Sequence, residues 1–134
     1  MPNLFIRILP LLLIVNLLAC SQDEGSNSNK GIISSSLEDM ARESLPGAKL
    51  AKRRCGSCHY LDRNIRKVGP TLKGIIGRAP SISGVPFKTW DERSMDAWLK
   101  DPAGIKPGTL MAIPGIKSDK DRADIIEYLK QFSP

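Results

Sequence analysis

Residues 55–59 read Cys55-Gly56-Ser57-Cys58-His59, and the fold turns on what those five side chains can hold. Two thiols three positions apart on a helical turn point to one side, and a histidine follows at once. This is the C-x-x-C-H spacing of covalent haem attachment: each thiol adds to a vinyl group of one porphyrin, and His59 is placed under the iron as the proximal ligand. His59 is the only histidine in the chain, so no other imidazole competes for that position. Three plainer uses of the same residues fit less well. A thioredoxin-like redox pair expects a βαβ surround, whereas this chain reads as helices and loops. A zinc site lacks a fourth ligand other than a carboxylate. A chance run of letters is disfavoured in a chain that carries an export segment.

Working outward, the second face of the haem needs either an open position or another ligand. Methionines stand at 1, 40, 95 and 111. Met1 leaves with the N-terminal segment, and Met40 lies upstream in a surface helix. Met95 shares the i, i+3, i+4 spacing of a buried helix face with Trp98 and Leu99. Met111 follows Lys106-Pro107-Gly108-Thr109-Leu110, where Pro and Gly break helix and force a loop. A loop methionine far along the chain can reach over the opposite haem face, and thioether ligation raises the potential relative to bis-histidine or thiolate ligation.

With 134 residues there is room for one compact domain plus appendages. The aromatic content is low, at three Phe, two Trp and two Tyr, and a hydrophobic cofactor in the middle would complete so thin a core. Net charge is +6, and from Leu45 onward 17 Lys and Arg stand against 9 Asp and Glu. Charge alone leaves an acidic protein, nucleic acid, an anionic membrane surface or simple solvation open.

The N-terminus carries Arg7 and then an apolar run over residues 8–18, interrupted only by Pro10 and Asn16. About 20 apolar residues are needed to span a bilayer, so this shorter run reads as a secretory signal peptide over residues 1–19. Leu17-Leu18-Ala19-Cys20 resembles a bacterial lipobox, which makes Cys20 the lipidated first residue of the mature protein; Leu18 is a less usual residue there, and an ordinary signal peptide is the alternative. Residues 21–36 are small, polar and aperiodic, the composition of a flexible tether. Several acyl chains on Cys20 would hold the chain firmly at a membrane. Ser21 lacks the aspartate that retains similar lipoproteins at the inner membrane, so either membrane stays open.

Three helices follow from the residues. The first runs from 47 to about 59 behind Pro46. The second starts at a capping box Thr89-Trp90-Asp91-Glu92 and stops before Pro102. The third starts at Ser118-Asp119-Lys120-Asp121 and presents Ile125, Ile126, Leu129 and Phe132 as an apolar stripe. An extra helix over 36–45 has capping spacing at Ser36 and Asp39. No strand pattern stands out, and the expected class is all-α.

From 46 to 132 the chain resembles the class I cytochromes c, including the mitochondrial and related bacterial electron carriers. Residues 47–54 match the helix entering the haem motif, and Val68-Gly69-Pro70-Thr71-Leu72-Lys73-Gly74-Ile75-Ile76-Gly77-Arg78 is similar to the family's G-P-x-L-x-G-x-x-G-R stretch. Trp90, then residues 95–102, then Pro107-Gly108-Thr109-Leu110-Met111 match its run from a tryptophan to the P-G-T-x-M loop. The resemblance implies a small fold of three main helices, short helices and loops around one covalent haem c, in a domain over 46–134 preceded by an anchor and tether over 20–45. It implies that Cys55 and Cys58 attach the haem and that His59 and Met111 ligate the iron. Pro70 would accept from His59 Nδ1, and Trp90 and Thr109 would serve the propionates. For Trp90 and Trp98, plain core packing stands beside any polar role. Two departures matter. The 78–90 segment is short, which implies a smaller loop over the propionate edge. Ala51 replaces an aromatic often found four residues before the first haem cysteine, which puts the packing of the terminal helices in question.

The expected function is one-electron transfer outside the cytoplasm, on the periplasmic side of a membrane, without enzymatic turnover. An oxidase, a quinol-oxidising complex or a periplasmic reductase would be the partner, and nucleic acid would not. A basic rim drawn from Lys52, Arg53, Lys67, Lys73, Lys88, Lys100 and Lys106 would steer it, with association weakening as salt rises. The alternatives are a haem subunit docked permanently in a larger oxidoreductase, or a sensor or peroxidase with displaceable Met111.

Overall fold

The computed structural model describes residues 26–133. Among them lie five helices and no strand: α1 (Ser26–Ser44), α2 (Pro46–Cys55), α3 (Glu92–Lys100), α4 (Pro102–Ile105) and α5 (Asp119–Lys130). The signal segment, Cys20 and residues 21–25 lie outside the described residues. None of the described helices is long and apolar enough to cross a membrane.

The core is built on the crossing of α2 and α5. Gly47 and Ala51 are buried in α2 and Ile125, Tyr128 and Leu129 in α5. A Cβ on Gly47 would fall 1.9 Å from the Asp124 carbonyl oxygen, so glycine sets how closely the two backbones approach. Ala51 is fully buried, and Tyr128 on α5 is buried with its ring edge-on to Phe132 at 5.2 Å. The small residue permits a closer crossing than a ring at that position would.

Helix boundaries differ from expectation in ways that local hydrogen bonding explains. Pro46 opens α2 as expected, but the helix ends at Cys55, not near 59. The Cys58 and His59 amides both donate to the Cys55 carbonyl, at 3.1 and 2.9 Å, which turns the chain out of the helix. The capping box of α3 is Asp91 with Ser94, not Thr89 with Glu92. Asp91 accepts from the Ser94 amide at 2.7 Å and Ser94 Oγ accepts from the Asp91 amide at 2.8 Å. This helix stops before Pro102 as expected, at Lys100, and Asp101 then caps a separate short turn, α4, by accepting from the Gly104 amide at 2.9 Å. Ser118 caps α5 as expected, accepting from the Asp121 amide.

α5 is tied to α3 by Arg122, only 3 % exposed. Its guanidinium donates to Asp96 (2.7 Å), to Asp119 (2.7 Å) and to the carbonyls of Ile116 and Lys117. A buried charge with so complete a set of acceptors avoids the desolvation cost of an unpaired one.

The largest departure lies ahead of the core. Residues 26–36, read as part of a flexible tether, are helical, and the extra helix begins at Ser26, not Ser36. Serine hydroxyls are accommodated by bonding back to the helix itself: Ser35 and Ser36 both donate to the Ile32 carbonyl, at 3.0 and 2.8 Å. Ile32, Ile33, Leu37 and Met40 remain exposed, so most of α1 stands free of the core. Only its last turn docks. Arg42 stacks over the Phe132 ring at 4.7 Å, and Glu43 accepts from the Tyr128 hydroxyl and pairs with Lys52.

Candidate haem-binding site

The residues after α2 form a loop stapled from within. The Gly69 amide donates to the Cys58 carbonyl and the Leu72 amide to the Tyr60 carbonyl, each at 2.8 Å. Lys67 Nζ donates to the Gly56 carbonyl at 2.7 Å, and Thr71 Oγ1 to the Arg63 carbonyl at 2.7 Å. These bonds bring Gly69 and Pro70 back beside His59.

At that point His59 Nδ1 lies 2.6 Å from the Pro70 carbonyl oxygen. A carbonyl can only accept, so Nδ1 carries the proton and Nε2 keeps a free lone pair, the tautomer a metal ligand needs. Gly69 forms the other wall of this cradle. A Cβ there would fall 2.2 Å from His59 Cε1 and 2.9 Å from Nε2, so only glycine leaves the ring where it is. A half-buried imidazole held in one tautomer, with two thiols just before it, is a donor set suited to covalent haem.

The two thiols differ. Cys55 is buried at the end of α2, and burial pushes its pKa up to about 11 against a smaller opposing pull from Arg54. Cys58 is exposed. Both are free thiols, which thioether formation requires.

Met111 comes from a different part of the chain. Gly108 has φ +75°, and the Thr109 amide closes the turn onto the Lys106 carbonyl at 3.1 Å. That is a Pro-Gly turn with the glycine where a positive φ is required. Thr109 Oγ1 then accepts from the Met111 amide at 3.2 Å. Met111 is half-buried and packs on the core, whereas Leu110 beside it is 98 % exposed. The Met111 sulfur receives the indole N–H of Trp98 at 3.0 Å.

Trp90 and Trp98 are both buried and meet edge-on at 5.6 Å, with Phe87 5.5 Å from Trp90. The short 78–90 loop is closed at its base by two bonds, Gly77 amide to Trp90 carbonyl and Trp90 amide to Arg78 carbonyl, at 2.8 and 2.9 Å. Arg78 steadies the adjoining segment by donating to the Thr71 carbonyl at 2.6 Å.

The structure thus joins His59 to Pro70, Thr109 to Met111 and Met111 to Trp98. The sequence reading missed Gly69, whose need is steric, and the Trp98 contact, because helical spacing reports burial and not the direction of an N–H. Of the rim residues, Lys52 is engaged by Glu43 and Lys67 by Gly56, while Arg53, Lys88 and Lys100 are exposed. A cleft of about 660 Å³ lined by Asp39, Arg42, Asp62, Lys73 and Phe132 contains none of the candidate haem-site residues.

Comparison with known proteins agrees with this arrangement. The chain is 37 % identical over 93 residues to a cytochrome c of Euglena viridis, covering 63 % of this chain and 91 % of that one. It is 40 % identical over 93 residues to a cytochrome c of Kluyveromyces lactis, covering 62 % and 84 %. With cytochrome c type-1 of Ascaris suum it shares 36 % over 94 residues, covering 63 % and 84 %. The family model for cytochrome c matches residues 44–133, and with one histidine beside two free thiols on an all-helical frame, this chain belongs to the cytochrome c family and is a haem c electron carrier.

Proposed function

We propose that this carrier works outside the cytoplasm, on the periplasmic side of a bacterial membrane, held there by lipid on Cys20 after removal of residues 1–19. The apolar run over 8–18 and the Leu17-Leu18-Ala19-Cys20 sequence support this placement. Its partners are then redox proteins of that compartment: an oxidase, a quinol-oxidising complex or a reductase.

In this reading Cys55 and Cys58 would hold one haem c by two thioethers, His59 and Met111 would ligate its iron, and Trp90 and Thr109 would serve its propionates. Bound haem c supplies an iron that takes up and releases one electron. The protein's part is to keep the ligand set nearly unchanged between the two states. Pro70 locks the imaginable rotation of the His59 ring through Nδ1, Gly69 fixes its depth, and the Lys106–Thr109 turn delivers Met111 from a separate segment. With His59 and Met111 both holding the iron, no coordination position would remain for a substrate.

The observation that carries this reading is the His59 Nδ1 to Pro70 contact at 2.6 Å, because a proton held on Nδ1 leaves the other ring nitrogen with a lone pair that a metal can take. The test is an optical spectrum of the haem-loaded protein, oxidised and reduced, with carbon monoxide added to the reduced form. A methionine-to-iron charge-transfer band that is lost in Met111→Ala, with carbon monoxide leaving the unmutated protein unchanged, is expected. Immediate carbon monoxide binding instead marks an open distal side and a sensor or peroxidase. Intact-mass analysis of the membrane fraction separately reads acylation at Cys20 by its loss in Cys20→Ala.

A further inference from the structure

α1 carries apolar side chains that the domain behind it does not cover. Ile32, Ile33, Leu37 and Met40 are between 59 and 69 % exposed. At about 100° per residue they fall within about 140° of one side of the helix, while Glu38 and Arg42 fall on the other. Two serines lie inside the apolar arc, Ser36 between Ile32 and Met40 and Ser44 between Ile33 and Leu37. Both hydroxyls are satisfied by the helix itself, Ser36 donating to the Ile32 carbonyl at 2.8 Å and Ser44 to the Ala41 carbonyl at 2.7 Å. A hydroxyl bonded in this way loses little when water is withdrawn, so the whole arc is fit to leave water.

The core does not supply the cover. With the last turn of α1 held by Arg42 over Phe132 and by Glu43 against Tyr128 and Lys52, the arc stays exposed. What stands close along the chain is Cys20. Ser26 follows it by six residues, a reach of at most about 20 Å, and Ile33 lies about 10 Å farther along the helix. An acylated Cys20 therefore keeps the arc within short range of a lipid surface. Since α1 is not long and apolar enough to cross a membrane, the contact open to it is one along that surface.

We propose that α1 lies on the lipid surface, with Ile33, Leu37 and Met40 in the boundary between headgroups and acyl chains and Ile32 at its edge. This rests on acylation of Cys20. The domain is then held at the membrane by two contacts, the acyl chains and a helix whose last turn grips α2 and α5, instead of by a loose tether.

The test places the acylated, haem-loaded chain in phosphatidylcholine vesicles, which bear no net charge and so do not draw in the basic core. With Cys20 acylated and Cys55 and Cys58 joined to haem, a single introduced cysteine, at Leu37→Cys, Met40→Cys or Glu38→Cys, is the one thiol open to a nitroxide label. At positions 37 and 40 the label is expected to lose collisions with a water-soluble nickel complex and gain collisions with oxygen, which concentrates in lipid; at position 38 the reverse is expected. Labels open to the nickel complex at all three positions overturn the proposal. Shielding from both reagents at positions 37 and 40 also overturns it, because a protein cover, a second copy included, excludes both. Intact mass separates this claim from the one beneath it: acylated protein with water-exposed labels leaves the anchor standing and removes only the seat of α1, whereas absence of acyl mass removes the anchor and the proposal with it.

Discussion

The crossing of α2 with α5 and the two walls of the candidate haem site are held by different means. At the crossing, the Gly47 backbone lies against the Asp124 carbonyl, and Ala51, Ile125 and Leu129 are buried around it. The walls of the candidate haem site are loops, fixed by single backbone bonds and by glycines, and they leave Leu110 and Val68 exposed. The first region is held by packing, while the second is held by local hydrogen bonds around candidate donor side chains. One half of the fold therefore supplies stability from the chain, and the other half spends local order on a ligand set.

Gly47→Val attacks the first region and carries the largest expected effect. With a backbone oxygen 1.9 Å from the new Cβ the helices must separate, and a loss of about 3 kcal/mol is expected in denaturant unfolding of the haem-loaded protein. A variant as stable as the parent would show that the crossing is not tight. Gly69→Ala applies the same kind of crowding to the second region, where the new Cβ meets the His59 ring. A smaller loss of about 1–2 kcal/mol is expected, together with a perturbed haem spectrum, because the ring can shift only by weakening its bond to Pro70. Should its spectrum match the parent, Gly69 does not set the ring's position.

The smallest effect concerns the rim of the crossing. Burial, and then the Glu43 carboxylate, push the Tyr128 hydroxyl up to about 12, above its ordinary value of 10.0. The folded chain thus holds this proton where the unfolded chain releases it, so the contribution is complete below pH 10 and is lost as pH rises toward 12. Tyr128→Phe should flatten the fall in stability within that window and leave it unchanged near neutrality apart from one weak hydrogen bond. Parallel curves for parent and variant across the window would remove the group from the account.

Much of this arrangement was legible from residues. The Cys55–His59 spacing, the Pro-Gly turn before Met111 and the apolar stripe of α5 each encode their geometry in a few neighbouring side chains. The carbonyl of Pro70 was reachable only through resemblance, since a backbone acceptor leaves no mark in composition. The start of α3 was misplaced because Thr89 and Asp91 both satisfy a capping pattern, and the choice between them was made by Ser94, whose hydroxyl also donates to the Thr89 carbonyl. The serine-rich stretch after residue 25 looked like linker because propensity tables count serine against helices, whereas here its hydroxyls bond back to Ile32. The Trp98 contact depends on which way a ring faces, which periodicity does not record.

The docked last turn of α1 also changes where this protein can be cut. A boundary drawn at Pro46 follows the helix pattern, yet Arg42 and Glu43 reach across it to Phe132, Tyr128 and Lys52. The unit to transplant or fuse therefore begins before Arg42, and a linker joined at Pro46 would strip a guanidinium from one aromatic ring and a carboxylate from another, uncovering the end of the very helix that closes the core.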